Sequence, residues 1–240
     1  MSDVNPSPVA TTRTQRRALR LGLWAGVVGP VTFFVVFTID GALKPGYSAL
    51  RDAVSYLALG PYGWIQTLNF IFLGLCVIAF GFALFNWWRR VVPSRLIVVG
   101  SVLIALSGVG YILAALFTAH RPPQPPGPLH TLAFEVVFFA QGFGCLLIGL
   151  RMVREPGWRW IGWLSFAIAF FTVVAALGNL SSLLSQAPAT PISSPSGAFP
   201  LGGLFNRVLV ALAFIWYLVL ATKMLKGGVT FAASKSSAKP

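Results

Sequence analysis

Six stretches of the chain are apolar almost without interruption, at residues 21–39, 63–88, 96–119, 129–152, 158–180 and 204–225. A helix rising 1.5 Å per residue needs ~20 residues to cross the hydrocarbon core of a bilayer, and each stretch is about that long. Backbone N–H and C=O groups in lipid must be bonded internally, which leaves helices and closed barrels as spanning forms. A barrel strand would show ~10 residues of alternating apolar and polar side chains, and these runs do not alternate. The pattern predicts an all-α integral membrane protein, a six-transmembrane-helix bundle.

The connections between the runs are uneven. Those around Arg89–Arg95 and Arg151–Arg159 are short and basic. The first connection on the opposite side reads KPGYSALRDAVSYLALGPYGW from Lys44. Pro45-Gly46 signals a turn and Ser48 an N-cap. From Ala49 to Leu59, the apolar Leu50, Val54, Leu57 and Ala58 share one helical face, with Arg51, Asp52 and Ser55 largely off it. This predicts a short amphipathic helix at the outer interface between spans one and two, ended by Gly60-Pro61, with Trp64 anchoring the next span. The second outer loop, HRPPQPPGPLH, has five prolines and should be stiff and extended. The third, over residues 181–203, is Ser/Pro/Gly-rich and is expected either to be mobile or to drape across the bundle mouth.

Residues 1–18 and 228–240 have the composition of disordered cytoplasmic tails, flanking a membrane domain over 19–227. Gly22 and Gly26 allow close helix approach, and Pro30 should kink span one. Gly100, Ser107, Gly108, Gly142, Gly144 and Gly149 read as further packing seams.

Composition agrees with a membrane protein. Of 240 residues, 56% are hydrophobic and 10% charged, and the mean hydropathy is +0.78. Five acidic residues cannot build the polar shell of a soluble domain. The net charge of +13 is informative through its placement. Basic residues precede span one (Arg13, Arg16, Arg17, Arg20), join spans two and three (Arg89, Arg90, Arg95), join four and five (Arg151, Arg154, Arg159) and follow span six (Lys223, Lys226, Lys235, Lys239). These are 14 of the 18 Lys and Arg, against Lys44, Arg51, Arg121 and Arg207 on the other face. The positive-inside rule then predicts both termini in the cytoplasm. Scattered over four short segments, these charges suit anionic lipid headgroups and no nucleic acid. The first span lacks a small-residue cleavage site after a short core and reads as retained. Cys76 and Cys145 fall near mid-membrane and read as free core cysteines.

The stretch PGYSALRDAVSYLALGPYGWIQTLNF, with GGLFNRVLVALAFIWYLVLATKML at the last span, resembles the domain of unknown function 998 family of bacterial polytopic membrane proteins. The likeness runs over most of residues 20–226. Family members often have an Asp just after the third span and a His at the start of the fourth. Leu129-His130-Thr131-Leu132 matches the His, whereas Phe117-Thr118-Ala119-His120 has no Asp. The resemblance implies topology and no defined activity.

Chemistry-bearing residues gather at the outer side: Asp40, Asp52, Glu135, His120, His130, Arg51, Arg121 and Arg207, with Gln66, Asn69, Asn179 and Asn206 at span ends. Glu135 stands out. It lies about six residues, roughly 9 Å, into span four. A carboxylate at that depth must be protonated, paired or facing a wet cavity. Three readings stay open: a ligand, cation or proton site; a structural pair with Arg207; or a neutral hydrogen-bonded acid. Asp52 does not share a helical face with Arg51 and is expected to reach Lys44 or a bound ligand. No paired-His or His-Glu-x-x-His spacing supports a metal site, and neither Ser48 nor Ser55 has a positioned base. No cofactor, metal or catalytic residue is assigned. His130 is read as a cap or interface residue.

Three function classes follow. The favoured one is a non-enzymatic module binding a lipid, small molecule or membrane-protein partner at an outward-facing polar pocket of Glu135, Arg207, Asp52, Arg51, Asp40, His130, Asn69 and Gln66. The alternatives are a small proton- or cation-coupled transporter and an intramembrane hydrolase acting on lipid or envelope substrates. A transporter should place polar residues at the midplane, where the sequence shows few.

Overall fold

A computed structural model of the chain describes residues 12–91, 94–119, 127–185 and 201–227. The described residues form six long helices and no strand: α1 (Arg13–Leu43), α2 (Gly63–Val91), α3 (Arg95–Leu116), α4 (Pro128–Met152), α5 (Arg159–Ser185) and α6 (Gly202–Lys226). All six are long and apolar enough to cross a membrane. The protein is therefore read as multi-pass. His120, Arg121 and most of the third outer loop lie outside the described residues, as does the side chain of Asn179.

Helix α1 starts at Arg13, within the stretch whose composition reads as tail. Thr12 and Gln15 form a capping box there, each side chain bonding the other's amide at 3.2 Å. With 31 residues the helix is about 46 Å long, beyond the ~30 Å of hydrocarbon, so its arginine-rich first turns extend past the apolar layer.

Consecutive helices pack through small residues. A Cβ on Gly29 of α1 would stand 2.5 Å from the Cys76 Cβ of α2. Gly74 and Gly108 face each other across α2 and α3, each Cβ position 2.6 Å from the other's carbonyl oxygen. Gly100 and Gly144 repeat this between α3 and α4, and Gly162 meets Val153 at the α4–α5 turn. Lipid supplies little hydrophobic drive between helices, so close backbone approach and dispersion hold these seams.

Helix α6 closes the ring by lying against α1 and α5, and it does so differently. Its glycines, Gly202 and Gly203, stand only at its start, and large aromatics project from its buried face. Phe214 packs edge-on to Phe33 of α1 at 5.6 Å, and Trp216 and Tyr217 meet Phe80 of α2 at 6.5 and 5.7 Å. Aromatic spacers hold helices farther apart than glycine seams do, which leaves room for clefts beside α6.

At one end of the bundle, α1 begins and α6 finishes. Trp87 and Trp88 cluster with Trp158, and Lys223 of α6 sits over the Trp158 and Trp160 rings while bonding the Gly157 carbonyl. We call this the basic end. The opposite end carries residues 44–62, described below as the strap.

Candidate functional site

The strap is not the predicted amphipathic α-helix. Residues 54–58 form a 3-10 helix preceded by turns, and Ala53 rather than Ser48 occupies its N-cap. Ser48 instead accepts backbone N–H groups from Arg51 and Asp52 through its carbonyl, while the Asp52 carboxylate takes the Ser48 amide at 2.7 Å. The expectation that Asp52 reaches Lys44 is thus corrected. Lys44 turns its ammonium onto the carbonyls of Tyr56, Leu57 and Leu59, closing the C-terminal end of the 3-10 helix. Val54, Tyr56 and Leu57 are buried, so the element sinks into the bundle mouth. Gly46 and Gly60 bracket it in left-handed conformations, at φ +73° and +86°.

What displaced the helix is α6. Its first turn brings Gly203 so close that an added Cβ would lie 2.6 Å from the Asp52 carbonyl oxygen and 2.7 Å from that of Ala49. The Leu204 amide, an orphan donor of the first turn, bonds the Leu50 carbonyl at 3.0 Å. Asn206 Oδ1 accepts the Val54 amide at 3.2 Å. Arg207 Nη1 donates to the Asp52 and Gly203 carbonyls at 2.8 and 2.9 Å, and Nη2 donates to the Tyr47 hydroxyl. The guanidinium also lies 5.7 Å from the Phe37 ring and 5.5 Å from the Tyr47 ring. The Tyr47 hydroxyl in turn donates to the carbonyls of Asp52 and Ala53, at 3.3 and 3.2 Å. Backbone groups that an α-helix over 49–59 would have paired locally are paired with α6.

Two cavities flank this clamp. Beneath the strap lies one of about 60 Å³, room for a few water molecules, walled by aromatic side chains with Ser55, Tyr111, His130 and Asn206 as its polar contributors. Beside the strap, a cleft of about 660 Å³ opens between α1 and α6. Arg207 is the charged residue among those lining it.

The remaining predicted residues are distributed more widely. Glu135 is buried inside α4, with 7% of its surface exposed. Arg207 forms no salt bridge with it; its guanidinium is bonded to the Asp52 and Gly203 carbonyls and the Tyr47 hydroxyl instead. Of the three readings open for Glu135, the pair with Arg207 is therefore set aside: the strap carbonyls took the guanidinium. His130 bonds the Phe117 carbonyl through Nδ1 at 2.7 Å, tying the start of α4 to the end of α3. Gln66 and Asn69 are buried on α2, where Asn69 Nδ2 donates to Gln66 Oε1 at 3.2 Å and to the Phe33 carbonyl at 3.1 Å. Gln66 Nε2, Asn69 Oδ1 and Asp40 Oδ2 are buried with no hydrogen-bond partner among the described residues. The Arg51 side chain is exposed. Eight candidates thus split into a clamp (Arg207, Asp52), cavity-wall and buried polar groups, and one solvated cation. Among the described residues no three His, Cys, Asp or Glu side chains gather in a metal-binding group.

One polar cluster escaped the sequence reading. Deep inside the bundle, Tyr217 donates to Gln141 Oε1 at 3.0 Å and lies 3.4 Å from Ser107 Oγ, linking α6, α4 and α3. Trp216 Nε1 donates to Ser165 Oγ at 2.8 Å. Gln141, Ser107, Ser165, Trp216 and Tyr217 are all fully buried. Each is a lone polar group in an apolar run, so only the tertiary packing reveals that they converge.

A family model described as "Protein of unknown function (DUF998)" matches residues 27–223. Neither a curated protein nor a solved structure matches the chain. The matched segment runs from the first half of α1 to the last turn of α6 and takes in the strap, both cavities and the buried polar cluster, so the chain belongs to the DUF998 family of proteins of unknown function.

Proposed function

We propose that this protein is a non-enzymatic module of a bacterial plasma membrane that binds a lipid or small molecule at its strap end. Its termini face the cytoplasm and the strap faces outward. The basic residues support that orientation, since they concentrate where α1 begins and α6 ends.

The observation carrying the reading is the pairing of Asn206 and Arg207. These neighbours on α6 each hold the strap, and each lines a different cavity beside it. A ligand entering the larger, Arg207-lined cleft touches a residue that fixes the strap, so occupancy and strap position are coupled. Among the described residues the Asp52 carboxylate is engaged by the Ser48 amide, which favours a binding role for the strap over a catalytic one.

The test is native mass spectrometry of the full-length protein released from nanodiscs. A stoichiometric bound species surviving purification is the expected result. A bare polypeptide mass under conditions that preserve other membrane-protein ligands would sink the reading.

A specific observation keeps transport as the second reading. Glu135 and the Tyr217–Gln141–Ser107 cluster place protonatable and polar groups inside the bundle. Reconstituted in liposomes, a proton-coupled carrier would acidify or alkalinise the lumen when a gradient is imposed. A module of the first kind leaves the lumen unchanged.

A further inference from the structure

We propose that the lateral cleft between α1 and α6 is a site for an anionic phospholipid of the surrounding leaflet, with Arg207 recognising the headgroup phosphate. The inference rests on reading the strap end as a binding face and adds which ligand, from where, and by which residue.

The cleft opens to the side. Its rim includes Phe34 and Val208, whose side chains are 45% and 46% exposed on the lipid-facing surface of the bundle, so an occupant arrives from the membrane. At about 660 Å³ it falls inside the ~300–1,000 Å³ range of small-molecule sites. The inner wall is apolar, with Phe37 buried behind it and Ala211 one turn below Arg207. The cleft exists because α6 packs on α1 through Phe214 and Phe33 rather than through a glycine seam.

The charge at the top has no counter-ion among the described residues. Arg207 has no carboxylate within salt-bridge distance among the described residues. Three of its five N–H donors are engaged by the Asp52 and Gly203 carbonyls and the Tyr47 hydroxyl, all neutral groups. The Nε–H and the second Nη2–H have no acceptor among the described residues. A cation at the edge of a low-dielectric layer, fixed in place and with donors to give, is complementary to a phosphate, which a planar guanidinium binds through paired N–H groups. The strap holds the guanidinium in place before a lipid arrives, so little side-chain entropy is lost on binding. An apolar slot ending in such a group matches an acyl chain ending in a phosphate. A zwitterionic phospholipid offers the same chain with its phosphate charge offset by an ammonium, and should bind about tenfold more weakly.

The probe is phosphatidylglycerol with a diazirine near the carbonyl end of one acyl chain, photolysed with the wild-type full-length protein in mixed micelles. Labelling is expected on peptides holding Phe34–Ala42 and Val208–Ala211, several-fold above the matched phosphatidylcholine probe. Ala211→Trp, which fills the slot without touching the strap, should abolish the excess, and Arg207→Gln should equalise the two lipids. Equal labelling by both lipids in the wild type, or labelling spread around the bundle, overturns the proposal, and both are read on the native sequence. A co-purified species of another mass beside that result would leave the module reading standing and remove the phospholipid assignment alone.

Discussion

Arg207 reaches Asp52 through the backbone carbonyl, at 2.8 Å, while the Asp52 carboxylate turns away to the Ser48 amide, at 2.7 Å. Two residues of opposite charge therefore meet without an ion pair. The consequence is structural: the guanidinium clamps the path of the strap backbone, and the carboxylate tightens a local turn.

Breaking the clamp should release the strap. Arg207→Gln removes charge-assisted bonds to two carbonyls, each worth about 1.5–3 kcal/mol when desolvated, and part exposure trims that. A loss of about 2–4 kcal/mol is expected in detergent unfolding. Trypsin should then cut after Arg51 several-fold faster than in the wild type. Arg207→Lys keeps the charge but not the fork and should lie between the two. Unchanged cleavage at Arg51 would show that the strap is held elsewhere.

The same contact makes Gly203 intolerant. A methyl there would meet the Asp52 oxygen at 2.6 Å and the Ala49 oxygen at 2.7 Å, both backbone atoms that cannot swing aside. Gly203→Ala should cost about 1–3 kcal/mol and raise cleavage at Arg51 along with it. If stability falls while cleavage stays at the wild-type rate, the strain has gone into α6 and the strap has not moved.

Tyr47 gives the strap a pH limit. Burial raises its phenol above the ordinary value near 10, and the Asp52 and Asp40 charges add to this, while Arg207 works against them. A raised pKa in the folded state contributes stability below the unfolded value, and that stability is lost as pH climbs through the folded value. Wild-type protein should thus lose thermal stability above about pH 10 more steeply than Tyr47→Phe, which has no phenol to ionise. Parallel curves for the two proteins would contradict this.

Hydropathy made the six helices legible, because lipid forces each span to satisfy its own backbone and leaves a long apolar run in the sequence. Glycine seams were legible at Gly22, Gly26, Gly100, Gly108 and Gly144 for a similar reason: a side chain's absence is visible one residue at a time. The strap was not. Its periodicity does place Val54 and Leu57 on the buried face, as found. Yet local pattern cannot register that Leu204, Asn206 and Arg207, some 150 residues away, compete for the same backbone groups. The Glu135–Arg207 pairing failed likewise: sequence depth matched their charges, and geometry gave Arg207 nearer acceptors.

The buried Tyr217–Gln141 bond offers the cleanest measure of that hidden layer. Tyr217 donates to Gln141 Oε1 at 3.0 Å with both residues fully buried, so removing one partner strands the other in a dry interior. Interhelical hydrogen bonds in membranes average only about 0.6 kcal/mol and reach about 1.7, because the unfolded chain in lipid also finds partners. Tyr217→Phe should cost about 1 kcal/mol. Gln141→Leu should cost no more, since it also removes Nε2, which has no hydrogen-bond partner among the described residues. The double variant should be less destabilised than the sum of the two, giving a coupling of about 0.5–1.5 kcal/mol in a double-mutant cycle followed by thermal unfolding. Full additivity would mean that the two side chains meet without holding α4 and α6 together, and that Trp216 with Ser165 carries the polar contribution of α6 to the bundle.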